Sequence, residues 1–226
     1  MLYSRQDIFM QNQGFNDFDS LIFSKKKIVI IGAGGIGSVL SELLVRGGFT
    51  NLCIIDSDII DLTNLQRQIY FKEDIGKPKV KALKDHLKKI NPNTKIENKV
   101  SVLNKGNANT LLSGYDLIID ATDNFQSRKI INDFCILNKC DWIFNAAVKA
   151  QIMSCIFYAT NNSFDLVFKN HIKDTSCCEV GVLASTTFIA GSIAYNNVLK
   201  YFLKINENVL IKFDIWNYQL HKINLE

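Results

Sequence analysis

The chain has 226 residues, of which 47% are hydrophobic, and a formal net charge of +4. A chain of this length and composition can bury most of its apolar surface around one core, without a metal or a disulfide to hold it together. Its lysines are scattered through predicted helices, which is typical of a solvated surface and does not indicate a nucleic-acid partner.

The cysteines and the N-terminal residues bear on the compartment. Six cysteines lie in apolar segments or in one loop, without the regular spacing of a secreted disulfide scaffold. The first residues lack the apolar core of a signal peptide, and no stretch approaches the roughly 18 apolar residues of a membrane span. We therefore expect a soluble protein of the cytoplasm or an organelle stroma, with no membrane partner.

An N-terminal arm, residues 1–26, precedes an alternation of short strands and amphipathic helices over residues 27–146. Strands are predicted over 27–31, 51–56, 94–100, 115–120 and 142–146. Helices are predicted over 36–46, 78–90 and 124–138. The strand at 115–120 is a continuous apolar run, as expected of a strand buried on both faces of a parallel sheet. With the alternation of strands and helices, it predicts a doubly wound, Rossmann-like α/β sheet for this half.

The second half, residues 147–226, has a different pattern. Alternating and apolar runs predict three more strands and one long helix, at 151–158, 209–214, 216–223 and 183–204. The strands are predicted to extend the same sheet in antiparallel fashion, which gives one mixed sheet in a single domain. Residues 160–180 are predicted to form an irregular crossover loop, long enough to suggest a functional role.

A glycine-rich run follows the first strand, with glycines at positions 32, 34, 35 and 37. Such a run lets the backbone approach phosphate oxygens closely and donate N–H groups at the start of the next helix. Asp56 closes the second strand, where a carboxylate can accept hydrogen bonds from a ribose. The sequence therefore predicts a nucleotide-binding half.

The glycine run alone leaves a nicotinamide or flavin dehydrogenase open. Hydride transfer needs neutral or hydrogen-bonding groups near the ring, whereas cleavage of a triphosphate needs cations around its phosphates and a carboxylate for magnesium. The chain supplies cations in Arg67 and Lys79 and a carboxylate in Asp123, after the strand that ends at Asp120. A guanidinium, an ammonium and a hard carboxylate ligand together favour ATP with Mg²⁺ over NAD.

Eight short motifs occur in order along nearly the whole chain. They are Tyr3-Ser-Arg5-Gln, Gly32-Ala-Gly-Gly-Ile-Gly37, Asp56-Ser-Asp58, Asn64-Leu-Gln-Arg-Gln68, Gly76-Lys-Pro-Lys79-Val, Ile90-Asn-Pro-Asn, Asp120-Ala-Thr-Asp-Asn124 and Gly181-Val-Leu. In this order they resemble the ThiF/MoeB/HesA adenylyltransferases, the bacterial relatives of ubiquitin-activating enzymes. The resemblance implies an enzyme that forms an acyl adenylate.

The resemblance also implies a role for each matching residue. The nucleotide is implied to contact the amides of Gly32, Gly34, Gly35 and Gly37, the Asp56 carboxylate, and Asn64, Arg67 and Lys79 at the phosphates. Asp123 is implied to hold magnesium. Arg5 is implied to reach into the site of a neighbouring subunit, which would make a homodimer part of the catalytic unit.

The reaction implied is attack by the C-terminal carboxylate of a small protein on the α-phosphorus of ATP, with release of pyrophosphate. Two substrates stay open: a ubiquitin-like sulfur carrier of the thiamin or molybdopterin type, or a ribosomal peptide that becomes a modified natural product. No peptide-recognition domain precedes the glycine run, which favours the carrier. A nucleotide-binding subunit without catalysis is the alternative from another class, and the intact Arg5, Arg67, Lys79 and Asp123 argue against it.

Cys177 is the residue with two open interpretations. It lies where many relatives carry a cysteine four residues before the glycine, so it is a candidate to accept the activated acyl group, but a cysteine is also a small buried hydrophobe. The two Cys-x-x-Cys pairs that bind structural zinc in many relatives do not occur here. Zinc is therefore predicted to be absent.

Several other residues have structural interpretations. Arg67 is also suited to cap a helix or to pair with Glu73, and Asp123 is suited to cap the following helix. Asp58 and Asp61 are predicted to be turn and cap residues. The tryptophans at 142 and 216 lie in apolar runs and are predicted to pack in the interior.

Overall fold

The computed structural model describes residues 3–15, 18–160, 163–168, 180–205 and 207–225. Within these ranges, no helix combines the length and the apolar character needed to cross a membrane. Cys177 lies outside the described residues.

Eight strands of the described chain form one sheet. They are β1 (Lys27–Ile31), β2 (Asn51–Ile55), β3 (Lys95–Lys99), β4 (Leu117–Asp120), β5 (Trp142–Val148), β6 (Gln151–Phe157), β7 (Val209–Asp214) and β8 (Gln219–Asn224). Their order is β3-β2-β1-β4-β5-β6-β7-β8. The pairs from β3 to β5 are parallel, and the pairs from β5 to β8 are antiparallel. The prediction of a parallel sheet with an antiparallel extension is confirmed.

Helices cover both faces of this sheet. They are α1 (Ser4–Asn12), α2 (Gly35–Arg46), α3 (Lys79–Ile90), α4 (Ala108–Leu112), α5 (Phe125–Asn138), α6 (Ser163–Phe168) and α7 (Ala184–Phe202). Residues of α2, α3 and α7 share one hydrophobic cluster, and residues of α4, α5 and α6 share another. The sheet is the layer between them.

The central strands are mostly apolar on both sides because both faces of the sheet are covered. In β1, Ile28 and Ile30 belong to the first cluster, while Val29 and Ile31 belong to the second. All four side chains are at most 4% exposed. This period of two within a continuous apolar run is what a doubly covered parallel strand requires.

The strand order reverses direction at β1. From there β2 and β3 lie on one side and β4 and β5 on the other. The connection that follows β1 therefore runs toward β2, and the one that follows β4 runs the opposite way, toward β5. A crevice opens at the carboxyl ends of two such neighbouring strands, which is where open α/β sheets bind ligands. The fold thus positions the glycine run after β1 beside Thr122 and Asp123 after β4.

The structure contains three short or polar helices, α1, α4 and α6, that the sequence did not predict. Helix α4 has five residues, too few for a helical period to be recognised, and α1 is polar with exposed Ile8 and Phe9. Helix α6 lies inside the segment predicted to be an irregular loop.

Trp216 is not a core residue, and the prediction that it packs in the interior is wrong. It is 72% exposed in the connection between β7 and β8, where the Asp214 carboxylate accepts the N–H groups of Trp216 and Asn217. This side chain-to-backbone turn delays the start of β8 to Gln219, three residues later than predicted. Trp142, in contrast, is 2% exposed.

Candidate active site

A cavity of about 400 Å³ occupies the crevice beyond β1 and β4. Nearly all of the residues predicted to contact nucleotide or metal line it, namely Gly32, Gly34, Gly35, Asp56, Asn64, Arg67, Lys79 and Asp123. Three of the predicted residues do not appear among its described lining. Gly37 lies behind it, Arg5 lies on the exposed surface of α1, and Cys177 falls outside the described residues.

The glycine run turns sharply from β1 into α2. Gly32 has a φ of 101°, and a side chain there would collide with the carbonyl of Ala121 in the connection after β4. Gly37 faces back toward the strand, where a side chain would collide with the Gly32 carbonyl. Gly37 thus lets the start of α2 pack against the turn after β1. Gly34, Gly35 and Ile36, at the N-terminus of α2, line the crevice. The N–H groups of a helix's first turn have no partner within the helix, and such N-termini commonly bind anions.

Asp56 is tied to two backbone amides. Its Oδ2 accepts the Ala33 N–H at 2.6 Å, and its Oδ1 accepts the Asp58 N–H at 2.8 Å. Burial raises the pKa of Asp56, and these two hydrogen bonds oppose that rise. Each carboxylate oxygen has a further lone pair, so the fixed carboxylate can still accept hydrogen bonds from a ligand.

The turn that carries Asn64 and Arg67 is capped within itself. Asp61 accepts the Thr63 N–H at 2.8 Å, and the Asn64 Oδ1 accepts the Asp61 N–H at 3.2 Å. Arg67 donates from Nη1 to the Thr63 carbonyl at 2.9 Å, which aligns its guanidinium along the turn. The alternative in which Arg67 pairs with Glu73 is not seen among the described ion pairs, and the cap role of Asp61 is confirmed.

Helix α7 holds this turn from outside. Thr187 donates from Oγ1 to the Arg67 carbonyl at 2.9 Å, and it also lines the cavity. A side chain at Gly35 would collide with Thr187, so the glycine allows α2 and α7 to approach closely. The position of Arg67 therefore depends on a helix more than one hundred residues away in sequence.

Lys79 is paired with Asp58, a residue that the sequence interpretation left outside the site. The ammonium lies 2.7 Å from Asp58 Oδ2, and the Lys79 N–H donates to the Asp58 carbonyl at 2.9 Å. The Lys79 side chain is 8% exposed, while that of Asp58 is 62% exposed. Because one partner is solvated, an incoming phosphate can replace Asp58 at the ammonium without leaving a buried carboxylate unpaired.

On the opposite wall, a buried ion pair supports the turn that carries Asp123. Asp120 is fully buried and accepts the N–H and the hydroxyl of Thr122, at 2.9 and 2.6 Å. Arg128 lies 3.3 Å from Asp120 and donates to the Thr122 carbonyl at 2.7 Å. Burial raises the pKa of Asp120, and the Arg128 charge opposes this. The turn between them presents the exposed Asp123 to the cavity.

Behind the ion pair lies a buried polar chain that sequence reasoning missed. Asn145 donates to the Asp120 carbonyl at 2.9 Å and accepts from Ser154, which in turn accepts from Asn197 on α7. Both of the last two bonds are 2.8 Å. Asn145 and Ser154 are fully buried in β5 and β6. Asn145 stands within the otherwise apolar predicted strand 142–146, and buried polar groups need hydrogen-bond partners. This position was therefore the feature of the sequence that could have indicated the chain.

The cap of α5 is Asn124 rather than Asp123. The Asn124 Oδ1 accepts the Ser127 N–H at 2.8 Å. The alternative role for Asp123 as the cap is therefore wrong.

Asp123 has the chemistry to hold magnesium together with a substrate. Mg²⁺ in phosphate-transfer sites is commonly held by one or two carboxylates plus phosphate oxygens and water. Asp120 is not positioned as a second ligand, because it is fully buried and is not among the described residues that line the cavity. Among the described residues, no group of three or more His, Cys, Asp or Glu side chains is arranged to bind a metal. Asp123 therefore fits a metal ion that arrives with the nucleotide.

Comparison with known proteins identifies the family. The ThiF family model matches residues 3–226. This chain belongs to the ThiF family. Its relatives include the molybdopterin-synthase adenylyltransferase of Haemophilus influenzae, which is 30% identical over 232 residues that cover 99% of this chain and 93% of that protein.

A second relative of this ThiF-family chain is the sulfur carrier protein adenylyltransferase of Thermus thermophilus. It is 28% identical over 193 residues, covering 81% of this chain and 71% of that protein. Other curated relatives are longer, and the chain spans about half of their length, 47 and 48% in two cases. Identity to named adenylyltransferases over nearly the whole chain supports the prediction of an enzyme that adenylates its substrate.

Solved structures share the fold. A crystal structure of E. coli MccB with ATP superposes on this ThiF-family chain with a TM-score of 0.83 at 21% identity, covering 100% of this chain and 72% of that one. At this identity the likeness establishes the architecture, which agrees with the mixed sheet described above.

Proposed function

We propose that this chain binds ATP in the crevice beyond β1 and β4 and adenylates the C-terminal carboxylate of a small ubiquitin-like sulfur carrier, of the thiamin or molybdopterin type. The observation that carries the proposal is the convergence of Arg67, Lys79 and Asp123 on one cavity that the glycine run and Asp56 also line. A cavity of about 400 Å³ is within the range for nucleotide-sized ligands.

The chemistry assigned to the site is substitution at the α-phosphorus. A carboxylate oxygen of the carrier bonds to the α-phosphorus, and the bond from that phosphorus to the α,β-bridging oxygen breaks. The bond electrons leave with pyrophosphate, and the carrier becomes an acyl adenylate. A carboxylate is already ionised at neutral pH, so the site needs no general base.

The protein's contribution is alignment and neutralisation of charge. We assign the ribose to Asp56, the phosphates to the first-turn amides of α2, and the triphosphate charge to Asn64, Arg67 and Lys79. A magnesium ion held at Asp123 would supply further positive charge to the phosphates when bound.

The names of the curated relatives support the carrier over other substrates. The curated relatives reported above are named for adenylation of a sulfur carrier or of molybdopterin synthase. The structural likeness to MccB rests on an identity of 21%, which leaves adenylation of a ribosomal peptide as the second candidate. A dehydrogenase would not need Arg67, Lys79 and Asp123 around one cavity.

The test is carrier-dependent exchange of radiolabelled pyrophosphate into ATP. We expect exchange only when a carrier with a free C-terminal Gly-Gly is present, and no exchange with a carrier whose C-terminus is amidated. Exchange supported by a short peptide but by no carrier would select the second candidate. Absence of exchange with any carboxylate substrate, together with intact ATP binding, would select the non-catalytic subunit.

Two further assignments belong to this proposal. We assign the whole chain to one adenylation domain acting as a cytoplasmic homodimer, with Arg5 contributed to the neighbouring subunit's site. We assign capture of the activated acyl group to Cys177: its thiolate would bond to the carbonyl carbon of the acyl adenylate, and AMP would leave as the bond from that carbon to the phosphate oxygen breaks. Cys177→Ser should therefore preserve pyrophosphate exchange while removing any thioester with the carrier. Trapping the thioester on a non-reducing gel checks this assignment.

A further inference from the structure

The peptide groups of Ala33, in the middle of the glycine run, are held from two sides. The Ala33 N–H donates to Asp56 Oδ2 at 2.6 Å. The Ala33 carbonyl accepts a hydrogen bond from the Tyr70 hydroxyl, also at 2.6 Å. Ala33 itself is fully buried, so both of these groups need protein partners.

These bonds decide which amides are left for the nucleotide. The Gly32 N–H donates to the Ile55 carbonyl at 2.8 Å, and the Ala33 N–H is taken by Asp56. The first two amides of the run are thus used internally. The residues of the run that follow, Gly34, Gly35 and Ile36, line the cavity, so their amides are the ones left for a nucleotide. The Ala33 carbonyl belongs to the same peptide group as the Gly34 N–H, so the Tyr70 hydrogen bond fixes the orientation of that peptide group.

Tyr70 links this loop to the turn that carries the cations. It follows Arg67 by three residues, and its ring is 5% exposed within the cluster formed by β1, β2, α2 and α3. Arg67 is itself held by Thr187 through its carbonyl. The glycine run and the Arg67 turn are therefore joined by one side chain–backbone hydrogen bond from a rigid, buried ring.

The hydroxyl remains a donor under ordinary conditions. Burial raises the pKa of Tyr70, and the nearby carboxylates of Asp56, Asp74 and Asp58 raise it further. A phenol that stays protonated donates constantly to the carbonyl of Ala33.

We propose that Tyr70 is a positioning residue for ATP, which fixes the spacing between the phosphate-binding amides of the glycine run and the Arg67 turn. Tyr70 does not line the cavity among its described residues, so it acts through Ala33 rather than by touching substrate. The proposal rests on the assignment of ATP to this cavity.

The test compares Tyr70→Phe with Tyr201→Phe. Tyr201→Phe also removes one hydrogen bond of a tyrosine hydroxyl, the one to Asp141 Oδ2 at 3.3 Å, and neither tyrosine is among the described residues that line the cavity. We expect Tyr70→Phe to raise the KM for ATP about fivefold with kcat changed less than about twofold, because one hydrogen bond that organises ground-state binding is lost. Tyr201→Phe should leave both constants unchanged.

Two measurements distinguish a local effect on the glycine run from a general loss of structure in Tyr70→Phe. ATP binding by calorimetry should weaken about fivefold in Tyr70→Phe alone, and hydrogen exchange of the amides at 33–36 should accelerate in that variant without acceleration in β1. Equal ATP affinity and equal KM in Tyr70→Phe and wild type would overturn the role of Tyr70 alone. Failure of the wild-type protein to bind ATP would overturn both this inference and the proposed function.

Discussion

Asp123 and Asp120 are three residues apart and have opposite environments. Asp120 is fully buried and paired with Arg128, whereas Asp123 is exposed on the cavity wall. A carboxylate whose oxygens are already occupied serves structure, and an accessible one is free to serve a metal or substrate. Substitution of Asp120 is therefore expected to lower stability, and substitution of Asp123 is expected to lower activity.

Asp123→Ala should lower pyrophosphate exchange by about a hundredfold or more, because a charge that acts on the reacting phosphates is lost. The melting temperature should stay near that of wild type, since the side chain is exposed. The matched control is Asp133→Ala, which removes an exposed carboxylate from the ion pair with Lys129 on α5. Full exchange activity in Asp123→Ala would contradict the metal assignment.

Asp56 gives the site a specific pH dependence. Burial raises its pKa, so it takes up a proton at a higher pH than an ordinary aspartate. The protonated form has fewer acceptor sites for a ribose, so ATP affinity should fall as the pH is lowered from about 7 to about 4, and the fall should begin above the usual range of an aspartate. Calorimetric titration of ATP across this range measures it.

In Asp56→Asn, the affinity should be lower at neutral pH and this acid-dependent fall should disappear. A wild-type affinity that is constant down to about pH 4 would show that the ionised form of Asp56 is not needed for binding.

At the scale of elements, the turn after β4 depends on β5, β6 and α7. Asp120 and Arg128 hold the turn, and Asn145, Ser154 and Asn197 continue the polar chain across the sheet. Each member of such a chain satisfies its neighbour, so removal of one leaves a buried group without a partner. The support of the site thus extends into the antiparallel half.

Arg128→Met should destabilise the fold by about 3–5 kcal/mol, because it leaves the Asp120 carboxylate buried without its counter-charge. The double variant Asp120→Asn/Arg128→Met should recover much of this loss. Urea unfolding of the two single variants and the double variant measures the coupling.

The pH dependence of Arg128→Met has a defined sign. Burial already raises the pKa of Asp120 in the folded protein, and loss of Arg128 raises it further. The folded variant then binds the Asp120 proton more tightly than the unfolded chain does. The contribution of Asp120 to the free energy of unfolding is therefore greatest at low pH, and it is lost as the pH rises through the raised pKa. A variant that is equally stable at acid and neutral pH would contradict the role of the ion pair.

The predictable part of the fold and site followed from local signals. The continuous apolar strands, the glycine run and the strand-end carboxylates each occupy a short stretch, so they identified the crevice and eight of its lining residues. Residues that act through distant partners had no such signal. Thr187 joins Arg67 across 120 positions, and Asn197 joins Ser154 across 43.

At the scale of the whole molecule, Arg5 is a predicted site residue that lies on the surface, away from the cavity. It is exposed on α1, and the helix is attached to the body through Gln6, which donates to Ser20 at 2.8 Å and to the Gly47 carbonyl at 3.0 Å. A fixed helix with an outward-pointing cation is suited to act on another molecule. If Arg5 completes the neighbouring subunit's site, its loss should be repaired by a partner that carries it.

The proposed homodimer therefore allows a complementation experiment between two inactive variants. In a mixed dimer of Arg5→Ala and Arg67→Ala subunits, the site of the first subunit keeps its own Arg67 and receives Arg5 from the second. Random mixing in equal amounts places one intact site in half of the dimers, which gives about a quarter of wild-type exchange activity. Each variant alone should have almost none. Activity of the mixture no greater than the mean of the two variants would show that Arg5 does not act across subunits, and normal activity of Arg5→Ala alone would remove it from the site.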